Sequence, residues 1–147
     1  MKNNNLKFIL SISLSIVLLD QIIKYLVSKY MGLHQSIPII NNVFHLTSIH
    51  NTGAGFGILQ NGNTFLIFTT LIILGLVFFY FDKILEEKPS HIPVALIIGG
   101  AVGNLIDRIL LGHVVDFIDF RIWPAFNIAD SAITIGVMWL IVVYWNK

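Results

Sequence analysis

Residues 8 to 28 read Phe8-Ile-Leu-Ser-Ile-Ser-Leu-Ser-Ile-Val-Leu-Leu-Asp20-Gln21-Ile-Ile-Lys24-Tyr-Leu-Val-Ser28. Up to Leu19 every residue is apolar or small, and apolar residues resume beyond Gln21. One helix of this stretch supplies the ~20 residues that cross a hydrocarbon core. Lys2 and Lys7 imitate the charged start of a signal peptide, but no small-x-small cleavage site follows, so the stretch reads as an uncleaved span. Working outward from it, the sequence predicts further spans at about 65–81, 92–111 and 130–145, all within one membrane-embedded domain over 1–147.

The composition agrees. Of 147 residues, 56% are hydrophobic and 12% charged, against roughly 25% charged in a soluble domain. A formal net charge of +1 leaves no basic face for nucleic acid. With no cysteine, disulfides, thiolate metal sites and cysteine nucleophiles are excluded. Four spans put both termini and the 82–91 loop on one side of the membrane. Lys2, Lys7, Lys83, Lys88 and Lys147 fall there, against Lys29 and Arg121 opposite, so the positive-inside bias predicts cytoplasmic termini. The segments of about 30–63 and 112–129 then face outward. In His45-Leu-Thr-Ser-Ile-His50 and Ile118-Asp-Phe-Arg-Ile122 polar and apolar residues roughly alternate, which predicts a small β element on the membrane surface.

An ionisable group inside a membrane costs about 2.5 to 3.5 kcal/mol on insertion scales. Asp20, Lys24, Asp107 and Arg108 therefore need reasons. Asp20 lies roughly 18 Å along the first helix from Phe8, and Asn104, Asp107 and Arg108 share one face near the end of the third. All fall in the outer half. Asn51, Asp116, Asp119, Asn127 and Asp130 belong to outward loops or helix ends, so the polar groups converge on one boundary. Bland readings exist for several. Asp20 and Lys24, at i and i+4, suit a self-compensating ion pair. Gly99 and Gly103 suit close helix packing, and Asp130 is placed to cap the fourth helix. Asp116, between Val115 and Phe117, has no such role, and its apolar setting should raise its pKa.

Other chemistries fit poorly. Gly53-Ala-Gly-Phe-Gly57 lacks the Lys-Ser/Thr of a nucleotide loop. His45 and His50 fall on opposite strand faces without a His-Glu-x-x-His, so neither a metal nor any other cofactor is expected. Ser131 has no histidine placed to activate it. Paired aspartates remain, since two close carboxyls share one proton and can act as base and acid together. Asp107, Asp116, Asp119 and Asp130 are the candidates. Asp119, alternating with Phe120, is expected to face away from the apolar side.

Asp20-Gln21, Asn51-Thr-Gly-Ala-Gly-Phe-Gly57, Gly99-Gly-Ala-Val-Gly-Asn-Leu-Ile-Asp-Arg108, Val114-Val-Asp-Phe117 and Phe126-Asn-Ile-Ala-Asp-Ser-Ala-Ile133 follow one another over residues 20 to 133. In order and context these blocks resemble the bacterial lipoprotein signal peptidases, signal peptidase II. Gly55 and Gly57 stand where many members carry alanine and serine. The resemblance implies an aspartic endopeptidase of the bacterial inner membrane, with four transmembrane helices and an extracytoplasmic β cradle. It implies cleavage of prolipoproteins N-terminal to a diacylglyceryl-modified cysteine, with membrane lipids around the site and Asp116 and Asp130 as the catalytic dyad. It also implies supporting or substrate-positioning roles for Asp20, Asn51, Asn104, Arg108 and Asn127. Nothing in the sequence fixes an oligomeric state. The competing class is a transporter subunit or assembly scaffold, for which carboxyls near mid-bilayer on several helices would be expected.

Overall fold

The computed structural model describes residues 2–54 and 59–145. Gly55 and Gly57 of the glycine-rich loop, and Lys147, lie outside them. The chain runs α1 (Lys2–Tyr30), β1 (Ser36–Ile40), β2 (Phe44–Asn51), α2 (Asn63–Phe79), α3 (Phe81–Glu86), α4 (His91–Leu110), β3 (Val114–Asp119) and α5 (Ile128–Trp145). It is a mainly helical membrane protein with a small sheet. α1, α4 with the 3-10 turn before it, and α5 are long and apolar enough to span, and α2 is a shorter apolar helix. The span expected over 65–81 stops at Phe79, and Tyr80 separates it from α3, which begins at Phe81.

α4 is the central helix. Of its spanning window 56% is buried, against 17% for α1 and for α5, so it is packed between them. Small residues allow the approach. A Cβ at Gly99 would come 2.8 Å from the Ser13 carbonyl oxygen of α1, and Ser13 Oγ donates to the Ala95 carbonyl at 2.9 Å. Large apolar side chains such as Leu14, Ile72, Phe78 and Val142 stay exposed, as they can when the surrounding solvent is hydrocarbon. At one end Lys2 pairs with Asp82 at 2.8 Å, Asn5 Nδ2 donates to the Leu85 carbonyl at 3.0 Å and Tyr144 Oη to Glu87 at 2.6 Å. These contacts join the start of α1, the α3 segment and the end of α5.

The sheet caps the other end in the antiparallel order β1-β2-β3. Val115 and Phe117 of β3 pack on Val27 of α1. One strand goes unannounced in the sequence, and two expectations need correction. β1 had no alternation to reveal it; Pro38, which removes a ladder donor, sits on this edge strand beside an irregular register. The strand expected over 118–122 instead begins at the β-branched pair Val114-Val115 and ends at Asp119. There Asp119 Oδ1 accepts the Arg121 N–H at 2.8 Å, and Arg121 turns the chain with a φ of 66°. Alternation therefore stops at Asp119. It is Phe120 that is exposed, at 41%, while Asp119 is 7% exposed and faces the sheet interior beside Thr47.

Candidate active site

The polar groups meet where α1, α4 and the first turn of α5 reach the sheet. Asn127, fully buried, immediately precedes α5. Its Oδ1 accepts the Asp130 N–H at 2.8 Å, while Asp130 Oδ2 accepts the Asn127 N–H at 3.3 Å. This is a reciprocal capping box. Asn127, not Asp130, is thus the cap, because the helix begins two residues earlier than expected. The box fixes the Asp130 carboxyl, and Asn104 Nδ2 of α4 donates to its Oδ1 at 2.7 Å.

Asp116 is held from the strand side. Asn51 Nδ2 at the end of β2 donates to Oδ2 at 2.9 Å, and Asn127 Nδ2 to Oδ1 at 2.7 Å. Asn127 therefore touches both carboxyls. Asp116 is 2% exposed. Burial, with the charge of Asp130 added, pushes its carboxyl up to about 7. The apolar flanks of the sequence pointed in this direction, and the second carboxylate reinforces it.

Asp130 lines a cleft of about 600 Å³, whose walls include Asn51, Arg108, Trp123, Phe126, Ser131 and Ile135. Arg108 reaches toward the Gly53 carbonyl at 3.4 Å, and Asn63 Nδ2 holds the Arg108 carbonyl at 3.0 Å, tying the start of α2 to the end of α4. Aromatic and aliphatic side chains make up most of the lining, with polar groups such as Asn51, Arg108 and Asp130 among them, so the cleft can hold a chain with an apolar side beside Asp130.

The candidates part ways here. Asp116, Asp130, Asn51, Asn104, Arg108 and Asn127 come together. Asp20, completely buried, pairs with Lys24 at 2.8 Å and accepts the Ala129 N–H at 2.9 Å. It holds the start of α5, one residue from Asp130. Asp107 pairs with Lys24 at 2.8 Å and accepts the Val115 N–H at 3.2 Å, and Asp119 is turned to Thr47 and Arg121. Sequence reasoning treated Lys24 only as a partner for Asp20. Its contacts with Asp107 and Asn104 join residues about eighty positions apart, which periodicity cannot show.

The chain is 47% identical over 134 residues to the lipoprotein signal peptidase of Halothermothrix orenii, covering 91% of this chain and 92% of that one. It is 50% identical over 125 residues to the lipoprotein signal peptidase of Brevibacillus brevis, covering 83% and 84%. A bacterial membrane enzyme solved by the in meso method superposes with a TM-score of 0.89 at 38% identity, over 94% of this chain and 87% of that one. The family described as Signal peptidase (SPase) II matches residues 12–146, which take in every residue of the polar network, and the chain belongs to that family of peptidases.

Proposed function

We propose that the chain removes signal peptides from lipoprotein precursors by aspartic catalysis, with Asp116 and Asp130 as the dyad. The observation that carries this reading is Asn127, whose side chain and backbone N–H hold one oxygen of each carboxyl beside a cleft with a mostly apolar lining. The ionised carboxyl of the pair takes a proton from water as the water oxygen attacks the scissile carbonyl. The protonated carboxyl donates to the carbonyl oxygen. When the tetrahedral intermediate collapses, one of its hydroxyls returns a proton to the pair as the C=O re-forms, the C–N bond breaks and a proton from the pair goes to the leaving amine, so the proton count returns to its start. Arg108, Asn51 and Asn104 direct N–H groups toward the cleft or the dyad and would hold the substrate backbone in line. Asp20 supports the dyad by holding the α5 backbone. The cut lies N-terminal to a diacylglyceryl-modified cysteine, whose lipid the apolar lining and the surrounding bilayer receive.

The site then lies at the extracytoplasmic boundary, with both termini in the cytoplasm. Gln60→Cys and Glu86→Cys, each labelled in intact cells with an impermeant reagent, check this. Label at 60 alone is expected, and label at 86 alone would invert the topology. For the function, matched precursor peptides with and without the diacylglyceryl group are offered to the purified protein in one detergent system. Cleavage of the lipidated peptide alone, before its cysteine, is expected. Equal cleavage of the two would remove the lipid from the reading, and cleavage of neither would remove the activity.

A further inference from the structure

Lys24 is 3% exposed and takes no part in the chemistry just given. Its Nζ lies 2.8 Å from Asp20 Oδ2 on its own helix and 2.8 Å from Asp107 Oδ2 on α4. Those two contacts alone would describe an ion triad that locks α1 against α4. The third contact does something else. Nζ donates to Asn104 Oδ1 at 3.0 Å, and Asn127 Nδ2 donates to the same oxygen at 3.2 Å. With its oxygen held by two donors, the Asn104 amide can offer only its NH2 on the other side, where it meets Asp130 Oδ1.

We propose that Lys24 is a positioning residue of the dyad, fixing the Asn104 amide so that its NH2 holds Asp130, and setting one positive charge a single side chain away from the pair. The idea rests on the dyad reading. The charged groups around it are Asp20 from α1 and Asp107 from α4, which neutralise the ammonium locally, and Arg108, the other cation near Asp116 and Asp130. Asp107 is itself held by Gln21 Nε2 at 2.8 Å, so the ammonium cannot drift toward that side without breaking a second bond. A triad serving architecture alone has no use for the bond to Asn104.

Lys24→Met keeps the side-chain length while removing the charge and the donor, and Lys24→Arg keeps both. kcat and KM for a lipidated precursor peptide are measured across the pH range of activity, beside thermal unfolding. Lys24→Met is expected to lower kcat about tenfold or more with KM within about twofold. Both limbs of its pH–rate profile should move up by roughly half a unit or more, because loss of a nearby positive charge favours the protonated forms of the pair. Lys24→Arg should restore the limbs and most of kcat. Since Lys24→Met leaves Asp20 and Asp107 without their cation, the charge-balanced Lys24→Met/Asp107→Asn is run alongside; it should keep the loss of kcat, for want of the donor to Asn104, while its limbs move back toward those of the parent. Unmoved limbs in Lys24→Met, with rate falling only as folded protein falls, would overturn the proposal. Asp130→Asn in the same assay keeps the two readings apart. If it turns over substrate, the dyad and this proposal fall together; if it is dead while Lys24→Met keeps the parent's limbs, only Lys24 loses its role.

Discussion

Asp116 and Asp119 stand three residues apart on β3, on opposite faces of one strand, and their carboxyls are driven in opposite directions. Both are buried, at 2% and 7% exposure. Asp116 is met by neutral amide donors from Asn51 and Asn127 and shares its surroundings with a second carboxyl, so burial and Asp130 together raise it to about 7. For Asp119 burial also pushes upward, but the Thr47 hydroxyl at 2.8 Å, the Arg121 N–H at 2.8 Å and the Arg121 guanidinium at 3.2 Å outweigh it and bring the carboxyl below its ordinary value. Burial is common to both faces. What differs is the compensation, and the face that meets its carboxyl with amide donors instead of a guanidinium and adds a second carboxyl is the one suited to acid–base work.

The largest expected effect tests that contrast directly. Asp116→Asn and Asp130→Asn should each lower turnover by about a thousandfold or more, since an amide can neither take the proton from water nor return one to the amine. Asp119→Asn should stay within about twofold of the parent. A dead but folded Asp119→Asn, or an active Asp116→Asn, would reverse the roles of the two faces.

Smaller losses are expected from the donors on the Asp116 side. Arg108→Ala and Asn104→Ala should reduce cleavage about ten- to a hundredfold while the protein still inserts, because they misplace the substrate or Asp130 without removing either carboxyl. Thermal unfolding beside the cleavage rate separates this from a packing role: full activity with lost stability would assign both residues to the bundle.

The same strand shows how far the sequence could be read. The four apolar runs and the gathering of polar residues at one end were legible, because a charge in a hydrocarbon segment is costly enough to demand a reason. The motif blocks named the residues that the fold brings together. What escaped were matters of one or two residues and of long range. Asn127 took the cap expected of Asp130 because either residue can accept an N–H, and only the true helix start decides between them. Asp119 was placed on the wrong face because Arg121 ends the strand, and alternation carries no information past a turn. The third contact of Lys24 depends on how two helices distant in sequence pack.

The pH dependence of stability sharpens the comparison further. The folded value of Asp116, about 7, lies above the ordinary 3.8, so its contribution is fully present below about 3.8 and is lost as pH rises through 7. Asp116→Asn does not titrate. Its stability relative to the parent should therefore rise by roughly 1 kcal/mol or more between pH 4 and pH 7 and level off above. Melting temperatures at several pH values read this, and a constant offset would mean that Asp116 is not strained by burial.

Asp119 should give the smallest signal, of the opposite sign. Its folded value lies below 3.8, so it contributes stability that is present above the ordinary value and lost as pH falls through the folded one. Near neutral pH, Asp119→Asn should cost about 1 kcal/mol, mainly for the Thr47 hydroxyl and the Arg121 N–H. The Arg121 guanidinium adds little, because that side chain is 48% exposed and its ion pair is screened by water. The gap between parent and variant should close as the pH falls below about 4, where the parent's carboxyl takes up its proton. Melting curves of the two proteins at neutral and acidic pH check it. A gap that stays open in acid would trace the loss to the shape of the turn at Arg121 rather than to the charge of Asp119, and the two faces of β3 would then differ in packing, not in electrostatics.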